Sequence, residues 1–445
     1  MIFNIPNYVG RIINSLEEKG YEAYVVGGSV RDILTGREPH DYDVNTNALP
    51  EEIGEVFKEY RTLEVGKKFG TIVIVQDEGI VEVTTFRSDG EYIDGRRPEQ
   101  VYFSKNLRDD LSRRDFTINA MAYNKHTGVI DYFDGIGYLK NKLIKTVGDS
   151  QERFKEDYLR VIRAIRFASE LEFFIDDETY NSCKQYAEYL LNISIERVRD
   201  EFFKILLSRY PSYGMRLLKD TGILGIILPE IIESVGFNQH NPNHDKDVFE
   251  HTLSVLDNTS PILHLRLAAL FHDIGKPHTF TIDKDGIGHF YGHDKLGANM
   301  AKEILKRWKS SNELIDKVYI LIDKHMTQHD NFKEKGLKRL IAKVGEKEIF
   351  TLLELQKADR ISSNEESNIE DLLERENKIK DIISSEEVYE KKQLAIDGSD
   401  VIELGYKQGE IIGKILDYLL DQVLENPELN NKEVLIKMIK DNFKL

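Results

Sequence analysis

Cysteine, tryptophan and proline are scarce in this chain of 445 residues, which contains one, one and ten of them respectively. The single cysteine, Cys183, excludes an internal disulfide framework and fits a reducing compartment such as the cytoplasm. Isolated cysteines mostly act as small apolar side chains, so we expect Cys183 to be a structural residue.

Long apolar runs and an excess of positive charge are missing as well. The chain has no stretch of 18 consecutive apolar residues, which predicts no membrane span. Its first residues, MIFNIPNYVGRIINSL, lack the pattern of a secretory signal. The formal net charge of −17 argues against general nucleic-acid binding. Arginines are nevertheless dense in residues 94–116 and 156–167, and partner choice depends on such local patches.

The hydrophobic pattern changes near residue 150. Before this point short apolar strands alternate with amphipathic helices, whereas after it the apolar residues recur almost throughout with helical spacing. We therefore predict a multidomain protein with an α+β domain at residues 1–150. Mostly α-helical regions follow at 151–239, 240–363 and 364–445.

Two carboxylates, Asp41 and Asp43, occupy alternate positions in HDYDVNT, a predicted strand. Alternate residues of a strand point to the same face, where two like charges repel each other unless a cation joins them. Mg²⁺ favours carboxylate oxygens, and Glu82 on a later apolar strand is the best candidate for a third carboxylate in a two-metal site. The ordinary alternative is a solvated turn, since closely spaced acids are common.

A glycine pair, Gly27 and Gly28, leads from a short apolar strand into the predicted helix RDILTG. Backbone N–H groups at such a turn can approach phosphate oxygens, and Arg31 in the first helical turn can add charge-assisted hydrogen bonds. Gly28 and Arg31 are therefore candidate nucleotide-binding residues. Neither feature is specific alone, but together with the acids they favour phosphoryl transfer.

Four motifs, GGSVRD, HDYDVNT, EVTTFR and RRDFTINAMAY, resemble the head domain of class II tRNA nucleotidyltransferases and bacterial poly(A) polymerases. The resemblance continues through EDYLRVIRAIRF and SIERVRDEFFKIL and extends weakly to the C-terminus. It implies a polymerase-β-like nucleotidyltransferase head followed by a helical neck and tail. It also implies Mg²⁺ in the head, CTP and ATP as nucleotides, and the 3′ end and acceptor stem of tRNA as a partner. The loop at residues 88–103 implies a capacity to add the terminal A.

The segment QERFKEDYLRVIRAIRF reads as one helix, and its bland interpretation is a salt-bridged surface helix with a Glu156–Arg160 pair. A carboxylate accepts hydrogen bonds and a guanidinium donates them, so Asp157 and Arg160 match the amine and the ring nitrogen of cytosine or adenine. Uracil and guanine present the reverse order and leave buried groups unpaired. The resemblance assigns this role to Asp157 and Arg160. The other nucleotide-binding candidates in and near this segment are Arg114, Glu156, Arg163 and Arg166.

Histidines and aspartates are concentrated between residues 240 and 363. Four of them resemble the metal ligands of the HD phosphohydrolase domain, which some tRNA nucleotidyltransferases carry: His251, His272, Asp273 and Asp359. Imidazole and carboxylate ligands suit a divalent transition metal such as Mn, Fe, Co, Ni or Zn. Each residue alone is more ordinarily a satisfied polar group. His293 and His325 are candidates for a second metal or for contact with a phosphate.

The resemblance therefore predicts a cytoplasmic CCA-adding tRNA nucleotidyltransferase with an HD domain of phosphohydrolase activity. In this prediction Asp41, Asp43 and Glu82 are catalytic, and neither a membrane nor an obligate protein partner is needed. An A-adding enzyme or a poly(A) polymerase stays open as an alternative, because the core motifs are nearly shared. A phosphohydrolase with a vestigial head is more distant, since the acidic residues of the head are intact.

Overall fold

A computed structural model of the chain divides into two compact units, Met1–Pro229 and Glu230–Leu445. The described residues are 3–90, 101–240, 246–330, 332–363, 368–385 and 388–443. Most of the loop at residues 88–103 therefore lies outside them. The finer predicted division into four regions stays a prediction.

The first unit combines one large sheet with helices, as expected. Its strands are β1 Ala23–Val26, β2 Asp43–Thr46, β3 Arg61–Gly66, β4 Thr71–Gln76, β5 Gly79–Thr85, β6 Arg87–Asp89, β7 Val101–Phe103, β8 Met121–Asn124, β9 Gly128–Asp131, β10 Leu143–Ile144 and β11 Phe174–Ile175. Its helices are α1 Asn7–Glu18, α2 Gly28–Leu34, α3 Pro50–Val56, α4 Leu107–Ser112, α5 Gly135–Lys140, α6 Ser150–Glu156, α7 Leu159–Leu171, α8 Asp177–Tyr186, α9 Ile195–Leu207, α10 Pro211–Asp220 and α11 Ile223–Ile227.

The large sheet has the strand order β3–β4–β5–β2–β1–β8–β9. Strands β2 and β5 are parallel neighbours, whereas β1 is antiparallel to both β2 and β8. In β5, Val81 and Val83 are fully buried and Glu82 between them is exposed, which is the alternation of a half-covered strand. Glu82 therefore points to the open face of the sheet.

The second unit is almost entirely helical. Its helices are α12 Pro229–Ile232, α13 Val248–Asp257, α14 Leu263–Phe271, α15 Lys276–Thr279, α16 His293–Arg307, α17 Asn312–Lys324, α18 Glu334–Val344, α19 Glu348–Ser363, α20 Glu370–Ser384, α21 Gly398–Glu403, α22 Glu410–Glu425 and α23 Lys432–Asn442, with a small hairpin of β12 Thr281–Ile282 and β13 Gly288–His289. Within the residues that the structure describes, no helix is both long and apolar enough to cross a membrane.

Two local predictions are wrong in their bounds. The strand expected over HDYDVNT begins only at Asp43, so Asp41 precedes the strand. The helix expected over residues 156–166 is interrupted, because α6 ends at Glu156 and α7 begins at Leu159. Asp157 between them has an extended backbone, with φ −146° and ψ 105°.

Candidate functional site

Three predicted acidic residues converge on the open face of the large sheet. Asp43 and Glu82 are directly paired across the parallel strands β2 and β5, and both residues are accessible to solvent. The protein packed around the carboxyl of Asp43 nevertheless removes part of its hydration and raises its pKa to about 6, and the charges of Asp41 and Glu82 act in the same direction against the opposing charge of Arg114. Adjacent carboxylates that disfavour one another's charge are a fitting donor set for a hard divalent cation such as Mg²⁺.

The turn between β1 and α2 brings Arg114 to the same region. Gly27 has a φ of +77°, and a Cβ atom at this position would lie 2.5 Å from Nη1 of Arg114, so only glycine fits the close approach. Gly28 follows as the first residue of α2. Among the described residues, the buried Nε of Arg114 has no hydrogen-bond partner, and its Nη1 donates to the carbonyl of Asn119 at 3.4 Å. This guanidinium therefore has spare donors for an anionic ligand.

Three predicted arginines surround the ring of Phe167 on α7. The guanidinium carbons of Arg31, Arg163 and Arg166 lie 5.2, 5.3 and 4.0 Å from the ring centroid. Cation–π contacts of this kind fix a guanidinium plane while leaving its edge available for hydrogen bonds. The sequence prediction named the three arginines but missed Phe167. The apolar pattern of a helix does not distinguish a ring that contacts guanidinium groups from an ordinary core residue.

Each of these arginines also has a polar partner. Arg31 donates to Oδ1 of Asn119 at 2.8 Å, and Nε and Nη2 of Arg163 donate to Oδ2 of Asp115 at 2.9 and 2.5 Å. Burial works against ionisation of Asp115, but Arg163 outweighs it and holds the pKa of that carboxyl well below its usual range. Asp115 belongs to the RRDF motif and was missed as an anchoring residue.

Asp157 and Arg160, the predicted base-reading pair, have separate partners. The carboxylate of Asp157 accepts from the backbone N–H of Leu159 at 3.1 Å and from Nη2 of Arg197 at 2.8 Å. The first bond explains the interruption between α6 and α7, because a side-chain acceptor here satisfies a free N–H at a helix start. The buried Nη1 of Arg197 has no partner among the described residues. Arg197, in SIERVRDEF, was not predicted as a site residue.

Arg160 is buried and directed back along the chain. Its guanidinium donates to the carboxylate of Glu156, to the carbonyl of Arg153 at 2.9 Å and to the carbonyl of Arg113 at 3.1 Å. The Glu156–Arg160 pair of the bland interpretation is therefore present. Arg160 does not, however, lie on an exposed helix surface. Its guanidinium packs against the segment that follows α4, where it donates to the carbonyl of Arg113.

Three family models match successive parts of the chain: the poly(A) polymerase head domain at residues 23–145, the RNA and SrmB-binding site of polymerase A at 172–234, and tRNA nucleotidyltransferase domain 2 at 292–439. The CCA-adding enzyme of Levilactobacillus brevis is 34% identical over 432 residues, covering 97% of this chain and 96% of the relative. The chain belongs to the CCA-adding enzymes. A second such relative, from Ligilactobacillus salivarius, is 31% identical and covers 99% and 98% of the two chains.

Solved CCA-adding enzymes share the fold. The Bacillus stearothermophilus enzyme in complex with CTP is 28% identical with a TM-score of 0.72, covering 98% of this chain and 97% of that one. A Thermotoga maritima enzyme complexed with tRNA gives a TM-score of 0.56 at 21% identity, covering 98% and 96%, and shows the fold alone. The predicted nucleotidyltransferase head with a mostly helical C-terminal region is thereby confirmed. The similarity to CCA-adding enzymes also confirms the prediction of a tRNA nucleotidyltransferase.

The second unit of this CCA-adding enzyme contains a buried cluster of histidines and aspartates. The four predicted ligands are brought together: Nε2 of His251 lies 3.0 Å from Asp359, 3.6 Å from Asp273 and 3.4 Å from Nε2 of His272. Helices α13 and α19 supply His251 and Asp359, His272 and Asp273 directly follow α14, and all four residues are buried.

A second set shares Asp273 with the first. One oxygen of Asp273 lies 3.2 Å from Nε2 of His272, and the other lies 3.4 Å from Nε2 of His293. His293, at the start of α16, and His325, directly after α17, bring their Nε2 atoms within 3.2 Å of each other. Both triads, His251–His272–Asp273 and Asp273–His293–His325, have the compactness of a metal site.

The orientation of the imidazoles supports metal binding. In His272, His293 and His325 the Nδ1 atom faces a backbone carbonyl at 2.7 to 2.8 Å. A carbonyl only accepts, so each Nδ1 carries a proton and the lone pair of each neutral ring lies on Nε2, inside the cluster. Burial, assisted by the other histidines, lowers the pKa of His325 to about 4. The facing lone pairs of His293 and His325, whose Nε2 atoms lie 3.2 Å apart, repel each other unless a proton or a metal cation lies between them.

Proposed function

We propose that this CCA-adding enzyme completes the 3′ end of tRNA with CCA, using CTP and ATP without a nucleic-acid template, in the cytoplasm. The observation that carries the proposal is the pairing of Asp43 and Glu82 across two parallel strands, with Arg114 held beside them over the Gly27 turn. Carboxylates for metal and a guanidinium for phosphate are the parts that nucleotidyl transfer requires.

In the proposed reaction the 3′-hydroxyl of tRNA attacks the α-phosphate of CTP or ATP, and pyrophosphate leaves. Asp41 and Asp43 would hold Mg²⁺, with Glu82 assisting. The metal would supply charge stabilisation at the phosphates and favour deprotonation of the attacking hydroxyl. Arg114 supplies charge-assisted donors to the phosphates from a fixed position, which is most effective for a charge that develops in the transition state.

In the proposed reaction Asp157 and Arg160 select the base of the incoming nucleotide. The lone pairs of Asp157 left by Leu159 and Arg197 accept the amine of cytosine or adenine, and Arg160 donates to the ring nitrogen. Since Arg160 binds Glu156 and two carbonyls in the free enzyme, the nucleotide must replace or share one of these acceptors. Arg31, Arg163 and Arg166 add positive charge around Phe167.

The test is incubation of purified enzyme with tRNA transcripts that end before CCA, after one C, or after CC, together with CTP and ATP. We expect each transcript to be extended to CCA and no further, as read by sequencing of the products. An A-adding enzyme would extend only the transcript that ends in CC, and a poly(A) polymerase would add runs of A. Either result would replace the proposal.

Replacing Asp157 with alanine should reduce the preference for CTP over UTP by about one to two orders of magnitude. The carboxylate is the group that repels O4 of uracil, and an unpaired buried polar group costs about 1–3 kcal/mol. The measurement is the ratio of kcat/KM for CTP and UTP on a tRNA transcript that lacks CCA.

Asp200→Ala is a matched control, because Asp200 is an exposed acid of α9 that pairs with its neighbour Arg199 at 2.7 Å. It should keep the wild-type ratio. If Asp157→Ala keeps the wild-type ratio, Asp157 does not select the base, and residues 156–166 form a structural salt-bridge network instead.

The histidine cluster supports a second activity, a metal-dependent phosphohydrolase of the HD type that acts on small phosphate esters or on damaged tRNA ends. Inward Nε2 lone pairs and two buried carboxylates suit Mn, Fe, Co, Ni or Zn, and two ions can share Asp273. The ammonium of Lys276 lies 2.7 Å from Oδ2 of Asp273 and places a positive charge at the edge of the cluster. Such a charge favours a phosphate ester over a neutral substrate.

A further inference from the structure

Asp110 is a fully buried carboxylate in the head that no proposed step of catalysis uses. It lies on α4, where Leu107 and Leu111 on the same side pack into a core cluster with Val26 and Phe86 of the sheet. Because Leu107 and Leu111 are packed in the core, the carboxylate of Asp110 between them also lies in the protein interior. A buried charge is expensive unless it is paired and hydrogen-bonded, so its partners indicate what it stabilises.

The partners of Asp110 come from strand β2 and from the segments next to α4 and β5. One oxygen accepts from Nδ2 of Asn45 at 2.5 Å, and the other accepts from Nε and Nη2 of Arg113 at 3.1 and 2.7 Å. Asn45 is two residues beyond Asp43 on β2, so the two side chains point to the same face. The backbone N–H of Arg87 donates to Asp110 as well, at 3.3 Å.

Arg114 is the decisive neighbour. Its ion-pair partner is Asp110, with Nη2 3.8 Å from Oδ2, and it acts on Asp43 as a neighbouring positive charge. A mobile arginine beside an exposed aspartate would form a direct ion pair with it, and the pair would compete with a cation for the carboxylate and with phosphate for the guanidinium.

We propose that Asp110 is a positioning residue that holds Arg114 away from Asp43, so that the carboxylate stays available to a divalent cation and the guanidinium to the triphosphate. The proposal rests on the proposed function of this site. Asp110 itself contacts neither metal nor nucleotide. It acts through the two side chains whose separation it maintains.

The experiment measures binding of Mn²⁺ by electron paramagnetic resonance, in an Asp273→Ala background that takes a ligand from both triads of the histidine cluster. Asp110→Asn should weaken Mn²⁺ binding about tenfold, because Arg114 then pairs with Asp43. In the double variant Asp110→Asn/Arg114→Ala the competing guanidinium is absent, and Mn²⁺ affinity should return to that of the Asp273→Ala parent. A purely structural role of Asp110 does not predict this recovery.

Catalysis gives a second readout in the same Asp110→Asn variant. The value of kcat/KM for CTP and ATP should fall by about one to two orders of magnitude, the usual cost of misplacing a catalytic group. The KM for tRNA should stay unchanged. Asp131→Asn is the matched control: it removes a carboxylate that accepts from the backbone N–H groups of Phe133 and of the first two residues of α5, so it should lower the thermal midpoint and leave Mn²⁺ affinity intact.

Wild-type Mn²⁺ affinity in Asp110→Asn, or weak binding that persists in the double variant, would overturn the proposal. If Asp110→Asn shows no cooperative thermal transition, Asp110→Ser provides the same comparison, because its hydroxyl still accepts from Asn45. The Mn²⁺ measurements do not depend on which nucleotides the enzyme adds. A failed CCA assay with recovered Mn²⁺ binding would therefore contradict only the proposed function.

Discussion

Replacing Asp43 with alanine should lower the rate of nucleotide addition by about three orders of magnitude or more while the protein stays folded. Asp43 faces Glu82 across the parallel strands, and a metal held there is expected to contribute several kcal/mol of charge stabilisation to the transition state. Asp43 is accessible to solvent and the surrounding protein disfavours its charge, so its loss is not expected to destabilise the fold. The measurement is single-turnover addition of labelled CTP to a tRNA transcript that lacks CCA.

Asp77→Ala provides the control for this experiment, because Asp77 is also an exposed acid of the head but lies in the turn between β4 and β5. Its rate should match that of the wild type. A rate for Asp43→Ala of even a tenth of the wild-type value, with an unchanged thermal midpoint, would exclude Asp43 as a metal ligand.

Replacing Asp273 with alanine should remove the bound transition metal and any phosphodiesterase activity, with CCA addition nearly unchanged. Both triads share Asp273, so its loss removes a ligand from each of them. The head site and the histidine cluster belong to different compact units, so loss of one leaves the residues of the other in place. Metal content is measured by elemental analysis, and hydrolysis with bis(p-nitrophenyl) phosphate.

His289→Ala is the matched substitution for this second experiment. His289 lies on the small hairpin and pairs with Asp283 at 2.8 Å, outside both triads. It should retain the metal. Wild-type protein free of Mn, Fe, Co, Ni and Zn after preparation in their presence would contradict the metal centre altogether, whatever the behaviour of the variants.

The acidic part of the head site was predictable because its signals are local. The apolar pattern of IVEVTT identifies a strand with Glu82 on its open face, and this pattern led to the choice of Glu82 as a third carboxylate, which does lie beside Asp43. The strand over HDYDVNT was predicted too long, because Asp41 precedes it. That β2 and β5 are parallel neighbours was not predictable, because strand order is decided by contacts between segments that are distant in the chain.

Asp157 shows a feature that the sequence pattern could not predict, whereas Asp110 shows one that it could have indicated. A helical period over residues 150–171 contains no proline or glycine to mark the interruption, which results from the bonds of Asp157 to Leu159 and Arg197. Asp110, by contrast, had a readable signal. Its spacing of three residues from Leu107 and one from Leu111 places it on the apolar side of a short helix, where an acid implies a buried partner.

The parallel pairing of β2 and β5 makes the spacing of the head carboxylates a property of the sheet. Neighbouring strands lie about 4.8 Å apart, close to the separation of roughly 3.5–4 Å between the ions of two-metal sites. Loop insertions elsewhere in the head leave this distance unaltered. A slip of one residue in the register would instead turn Glu82 to the buried face, so substitutions that loosen strand pairing far from the acids should inactivate the enzyme without touching them.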